Sequence, residues 1–296
     1  MSTSMLSRNT KDHLWAYLFI TPQLLGLLLF AIGPVLFAFA ISFMKWDITS
    51  TPVWVGLRNY EKQLSDPLFW KILSNTLLFS ALYIPATLVL ALILALMLNQ
   101  NIKGRMVFRA AYFVPVITSS IAVALVWTWL YNPDFGPINI ALQSMGLPAP
   151  GWLSSLTWAM PSIVIMTVWQ SVGYNMVLFL AGLQGVPRHL YEAAKIDGAG
   201  AWQQFLKITL PMISPTTFFV LTMLLIHALQ VFNEPYMMTK GGPADATNVI
   251  VLHIYNTAFQ FYKMGEASAI SFVLFFIIFV ITLFQFKFSK WVNYDV

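Results

Sequence analysis

Long apolar runs alternate with short polar ones along this chain. A helix that crosses a bilayer needs about 20 mostly apolar residues, because the hydrocarbon core is about 30 Å thick and each residue rises about 1.5 Å. Six stretches meet that length: roughly Leu14–Phe43, Ile72–Leu98, Ala110–Leu130, Trp158–Gly182, Met212–Phe232 and Ala267–Phe286. None of them contains Asp, Glu, Lys or Arg, and His227 is the one group within them that titrates near neutral pH. The pattern therefore predicts an all-α, polytopic membrane protein with six transmembrane helices. The first stretch follows Arg8 and Lys11 and passes through Ala38-Phe39-Ala40, a tripeptide like a signal-peptidase site. A secretory apolar region is shorter than this one, so an uncleaved span is expected.

Composition agrees. Mean hydropathy is +0.73 and only 9% of the 296 residues are charged, against about a quarter in a soluble domain. Lipid is the solvent such a surface needs. With no Cys, disulfides, Cys-based metal sites and Cys nucleophiles are excluded. The net charge of +5 is spread too thinly for nucleic acid. Its distribution is more useful, because cytoplasmic loops carry an excess of Lys and Arg. With the N-terminus inside, the inner segments hold ten basic residues (Arg8, Lys11, Lys103, Arg105, Arg109, Arg188, Lys195, Lys207, Lys287, Lys290) and four acids (Asp12, Glu192, Asp197, Asp295). The outer segments hold six basic residues and seven acids. Both termini are thus expected in the cytoplasm. Trp46, Trp54, Tyr60, Trp70, Tyr131 and Trp152, near the ends of the outer loops, suit an interfacial aromatic belt. Pro22, Gly26, Gly33 and Pro34 in the first span suit close packing and a kink.

The long inner loop, residues 183–211, interrupts the oily chain with Tyr191-Glu192-Ala193-Ala194-Lys195-Ile196-Asp197-Gly198. Pro187 suits a helix start. Leu190, Ala193 and Ala194 fall on one face, with Glu192 and Lys195 placed to pair at i, i+3 on the other. Asp197-Gly198 ends that helix, and Ala199 to Ile208 can resume as a second. The segment reads as helix, turn, helix at the cytoplasmic face, with a low surface that another protein can approach closely or that rests on lipid headgroups.

Polar groups within the spans are the other signal, since each costs roughly 1–3 kcal/mol if left unpaired. Gln170, Ser171, Tyr174 and Asn175 cluster in the fourth span; His227, Gln230 and Asn233 recur at i, i+3 spacing in and after the fifth, followed by Glu234. They suit either bonds between packed helices or a cavity for a neutral, hydroxyl-rich solute with an aromatic face for its apolar side. No HExxH or GxSxG is present, which argues against an intramembrane enzyme; no catalytic or metal residues are assigned. The lack of a carboxylate in the spans argues against an ion-coupled secondary transporter.

Glu192-Ala193-Ala194, then Gly198, Ile208 and Leu210-Pro211, match at every position and gap the "EAA" signature of ABC-importer permeases. Tyr191, Asp197, Ala199, Phe205, Gly182-Leu183-Gln184, Gly241-Gly242-Pro243, Gly56-Leu57-Arg58-Asn59-Tyr60 and Asp66-Pro67-x-Phe69-Trp70 further resemble the carbohydrate branch, the MalF/UgpA-like permeases. The resemblance implies a type I importer (MetI-like) fold: one permease domain over residues 1–296, core about 72–290, with a coupling loop at 183–211. It implies that Glu192, Ala193, Ala194, Asp197 and Gly198 dock on a cytoplasmic ATPase. The implied partners are two ABC ATPase subunits, a second, MalG-like permease, an extracytoplasmic solute-binding protein, membrane lipid and a sugar. No cofactor is expected in this chain, because ATP and Mg belong to the ATPase. By alignment with the maltose permease, Tyr174 takes the place of a sugar-contacting tyrosine. Gln170, Ser171 and His227 stand at contacting positions with different residue types, and Val231 replaces a contacting asparagine. That permease also carries extra N-terminal spans and a large periplasmic insertion that this chain lacks. The implied function is a bacterial inner-membrane permease for a sugar or oligosaccharide, or for a related solute such as glycerol-phosphate.

Overall fold

The computed structural model describes residues 4–289 and Val292. Lys290 and Asp295, and the side chains of Arg8 and Lys11, all counted in the charge balance, lie outside the described residues. Helices account for nearly all regular structure; the strands among the described residues are the antiparallel pair Met44–Lys45 and Val53–Trp54. Among the described residues, five helices are long and apolar enough to cross a membrane: Trp15–Ser42, Pro67–Leu98, Ala159–Gln184, Ser214–Met238 and Met264–Lys287. They are the first, second, fourth, fifth and sixth of the expected spans.

The third differs from expectation. Instead of one helix over 110–130, Arg105–Ile117 and Ser120–Leu130 meet at an angle of 99°. Thr118 and Ser119 between them have ψ of 141° and 126°, outside the helical region. Pro115 lies just before this break and has no N–H for the helical ladder. The fifth span also departs from its expected limits. Its regular part, Ser214–Leu229, gives way at Gln230, and a short helix Asn233–Met238 continues it. Glu234 therefore falls inside a candidate span, as Lys71 and Glu266 do near the N-terminal ends of two others. The expectation that no span carries a charged side chain holds for the hydrophobic cores drawn from the sequence, not for the helices as folded.

Contacts divide the chain into two compact units: one takes the chain up to Ser65 together with Ile254–Val273, the other Asp66–His253 together with the chain from Leu274. In the first unit, the opening span widens into a π turn at Leu28–Ile32 before Gly33-Pro34. This is the local adjustment expected where a proline removes a ladder donor. Gly26, expected to serve close packing, has open space where a Cβ would stand. The Gly56–Tyr60 stretch anchors the hairpin. Asn59 donates to the carbonyls of Ser42 (2.8 Å) and Met44 (2.9 Å), and the Tyr60 hydroxyl donates to Ser42 Oγ (2.7 Å). Lys62 and Glu266 form an ion pair at 2.6 Å.

The second unit holds the main apolar core, built around the fourth span, which is the most buried of the five continuous ones. Glycines set its closest approaches. A Cβ at Gly173 would overlap the Tyr112 carbonyl of the third span, and one at Gly182 would overlap Thr216 of the fifth. The second span begins at Pro67, with Asp66 as N-cap accepting from Leu68 N–H at 2.8 Å. Its N-terminal end ties down the loop after the fifth span: Lys71 donates to Ala244 O (2.7 Å), and Asn75 to Asp245 O (2.7 Å) and Asn248 O (3.0 Å).

Candidate functional site

Two regions carry the side chains singled out by sequence. The first is the loop at residues 183–211. Arg188–Ile196 is a helix that starts after Pro187 and ends at Asp197. Gly198 has φ of +77°, the left-handed conformation that costs an L side chain roughly 1–2 kcal/mol. Gly198 N–H donates to Lys195 O (3.1 Å) and Ala199 N–H to Ala194 O (2.8 Å). These are the two bonds of a Schellman cap. The chain resumes as Ala201–Gln204, a π turn at Phe205–Thr209 and a last turn Leu210–Met212. The Tyr191 and Thr209 hydroxyls, 3.0 Å apart, tie the two arms together. Glu192, Ala193, Asp197 and Gly198 are exposed and Ala194 is half-buried. Glu192 and Lys195, placed to pair, form no ion pair. Ile196, 87% exposed, and Trp202, 69% exposed, add apolar surface to the same loop.

The second region is a cavity of about 330 Å³ within the larger unit. Gln170, Ser171, Tyr174 and Asn175 of the fourth span line it, with His227 and Asn233 from the fifth. Six of the seven polar residues picked out in the spans thus converge. Gln230 does not line it: the helix ends at Leu229, and the backbone at Gln230 (φ −109°, ψ 13°) has left the helical path. The i, i+3 spacing from His227 to Gln230 to Asn233 assumed a continuous helix.

Side chains of the cavity also repair the broken third span. Gln170 Nε2 donates to the Thr118 carbonyl (3.3 Å) and Asn233 Nδ2 to Ser120 Oγ (3.2 Å). The Thr118 carbonyl, a backbone group freed at the break, needs such a partner inside a membrane; the Asn233 bond ties the Ser120 side chain instead. Gln170 and Asn233 therefore fill both roles weighed from the sequence, interhelical bond and cavity wall.

Four polar lining residues were not assigned to this site from the sequence: Tyr83, Ser120, Thr167 and Glu234. Tyr83 is buried on the second span, its ring 5.5 Å from that of His227. The signal for it was present. Ser80, Tyr83 and Thr87 recur at i, i+3 and i+7 in an otherwise apolar span, and all three are buried. Ser120 entered the wall only because the span breaks beside it.

A helical bundle that gathers hydroxyls, amides and two tyrosines around an open cavity, and presents a capped helical loop, has the features of a membrane transport subunit. The chain belongs to the family of binding-protein-dependent transport system inner membrane components, which it matches over residues 87–294. It is 37% identical to a probable ABC transporter permease protein, YesP, of Bacillus subtilis (strain 168), over 96% of this chain and 94% of that one. It is 38% identical to the trehalose/maltose transport system permease protein MalF of Thermococcus litoralis, over 93% of each chain. Among solved structures, a chain of a bacterial alginate ABC transporter, in complex with an alginate pentasaccharide-bound periplasmic protein, superposes with a TM-score of 0.84 at 25% identity. The match covers 96% of both chains. The protein is thus an ABC-transporter permease, a multi-pass membrane subunit rather than an enzyme.

Proposed function

We propose that this chain is the membrane-spanning permease of an ATP-driven importer for a sugar or oligosaccharide delivered by an extracytoplasmic binding protein. Relatives named for trehalose/maltose and alginate transport support the substrate class. One observation carries the reading at the level of residues: the cavity gathers hydroxyls, amides and an accessible tyrosine face around a volume of about 330 Å³. These groups exchange hydrogen bonds with a sugar's hydroxyls, and Tyr174, 43% exposed, offers a flat surface to its apolar side.

The loop at 183–211 is the coupling element in this reading. Glu192, Ala193, Ala194, Asp197 and Gly198 present the docking surface to an ATPase subunit, which holds ATP and Mg. A second, MalG-like permease encloses the other side of the path, and a second ATPase serves it. Both termini lie in the cytoplasm of a bacterium, as the charge balance indicates. The capped, cross-tied geometry of the loop supports this role, because a lever must move as one piece.

The test uses the transporter assembled with its partner subunits in proteoliposomes. Tyr174→Ala is expected to lower sugar uptake at least ~10-fold, as loss of a central aromatic contact does in other interfaces. ATP turnover stimulated by the binding protein should partly survive. Uptake at the unmodified rate would remove Tyr174 and the cavity from the path; loss of both activities with normal assembly would place Tyr174 in coupling instead.

A further inference from the structure

One member of the cavity wall differs in kind from the rest. The other polar groups are hydroxyls, amides and the His227 imidazole; Glu234 brings a carboxylate. It is 5% exposed. No Lys or Arg lines the cavity, and no ion pair involves Glu234 among the described residues. Its place in the first turn of the short helix Asn233–Met238 offers partial compensation, not a counter-charge.

A carboxylate held away from bulk water interacts strongly with whatever enters beside it. Between two charges the interaction grows as the local dielectric falls, and it takes the sign of their product. A second carboxylate or a phosphate brought against Glu234 meets a like charge that is itself poorly reached by water. A hydroxyl or an ammonium instead donates to an acceptor that otherwise has none from a cationic side chain.

We infer that Glu234 sorts the cargo by charge. The path admits neutral or amino sugars and turns away those that carry a uronate or phosphate. This rests on reading the cavity as the sugar path. It separates this chain's cargo from glycerol-phosphate and from acidic polysaccharide, and it makes Glu234 a specificity-determining residue in the wall of the path.

The experiment is saturation-transfer NMR on the transporter assembled with its partner subunits in nanodiscs, without the binding protein, so that delivery does not select the ligand. The probes are three β-1,4-linked disaccharides of equal size: cellobiose, its diamino counterpart built from glucosamine, and a uronate-bearing counterpart. Signal that disappears in Tyr174→Ala is counted as cavity binding. The neutral and amino probes are expected to give at least ~10-fold more of it than the uronate, the order of one unscreened like-charge contact. Glu234→Gln, which keeps the shape, should bring the uronate within ~3-fold of cellobiose and abolish any preference for the amino probe. Recovery of the ATPase subunits with the variant checks that it assembles. Tyr174-dependent binding that ignores probe charge, or that keeps its charge preference in Glu234→Gln, overturns the role of Glu234 alone. If no probe binds in a Tyr174-dependent way, the cavity is not the sugar path, and both readings fall together.

Discussion

The loop at 183–211 and the cavity both draw on side chains that stand out in the sequence, and they are built on opposite principles. The loop is local. Its cap joins residues three and five apart, its arms are joined across eighteen residues by Tyr191 and Thr209, and its surface is made by neighbours in sequence. The cavity is assembled from the second, third, fourth and fifth spans, from Tyr83 to Glu234. A local device fails through its own backbone. An assembled one fails through the helix positions that aim its side chains.

That contrast orders the expected effects of mutation. The largest belongs to Gly198→Asp, because the backbone there needs φ of +77°. A cost of roughly 1–2 kcal/mol at the cap should lower uptake ~5–30-fold with the protein still inserted, read by transport in proteoliposomes and by recovery of the ATPase subunits. Full uptake with bound ATPase would show that the loop tolerates a different turn. Next comes Thr209→Val, which deletes the hydroxyl facing Tyr191. One hydrogen bond is worth about 0.5–1.5 kcal/mol, so uptake should fall ~2–10-fold, and Tyr191→Phe should match it without an additive loss in the double variant. Additive losses would mean that the two arms are not mechanically tied. The smallest effect is expected at Gln230. Gln230→Ala should stay within ~2-fold of the unmodified transporter, while Asn233→Ala, which loses a cavity group and the bond to Ser120, should fall further. Equal losses at both positions would erase the distinction drawn from the end of the fifth helix.

The number and order of spans, and the helix-turn-helix of the loop, could be read from the sequence because each depends on contiguous residues. So could the two polar clusters, in the fourth span and in and after the fifth, though their meeting at one cavity is a fact of the fold. What could not be read has a common physical cause: helix continuity was assumed where the backbone breaks. The break at Thr118 and Ser119 leaves no mark in the apolar stretch Ala110–Leu130, and Gln170 and Asn233, from elsewhere in the chain, bond to its two sides. Gln230 was placed on the cavity face, and Glu234 beyond the span, by the same assumption. Tyr83 was hidden by hydropathy, because an aromatic ring in an apolar span reads as core unless its flanking Ser80 and Thr87 are counted with it.

The elbow in the third span bears on how movement passes through the permease. Two rods joined at nearly a right angle do not transmit a push along a shared axis. If Arg105–Ile117 slides along its own length, Ser120–Leu130 is swept sideways, and Ser120 in the cavity wall goes with it. The amides of Gln170 and Asn233 bond to the two sides of that joint, and on the proposed sugar path they are also groups a sugar hydroxyl competes for. Occupancy of the cavity and the stiffness of the joint are thereby made to depend on the same few hydrogen bonds.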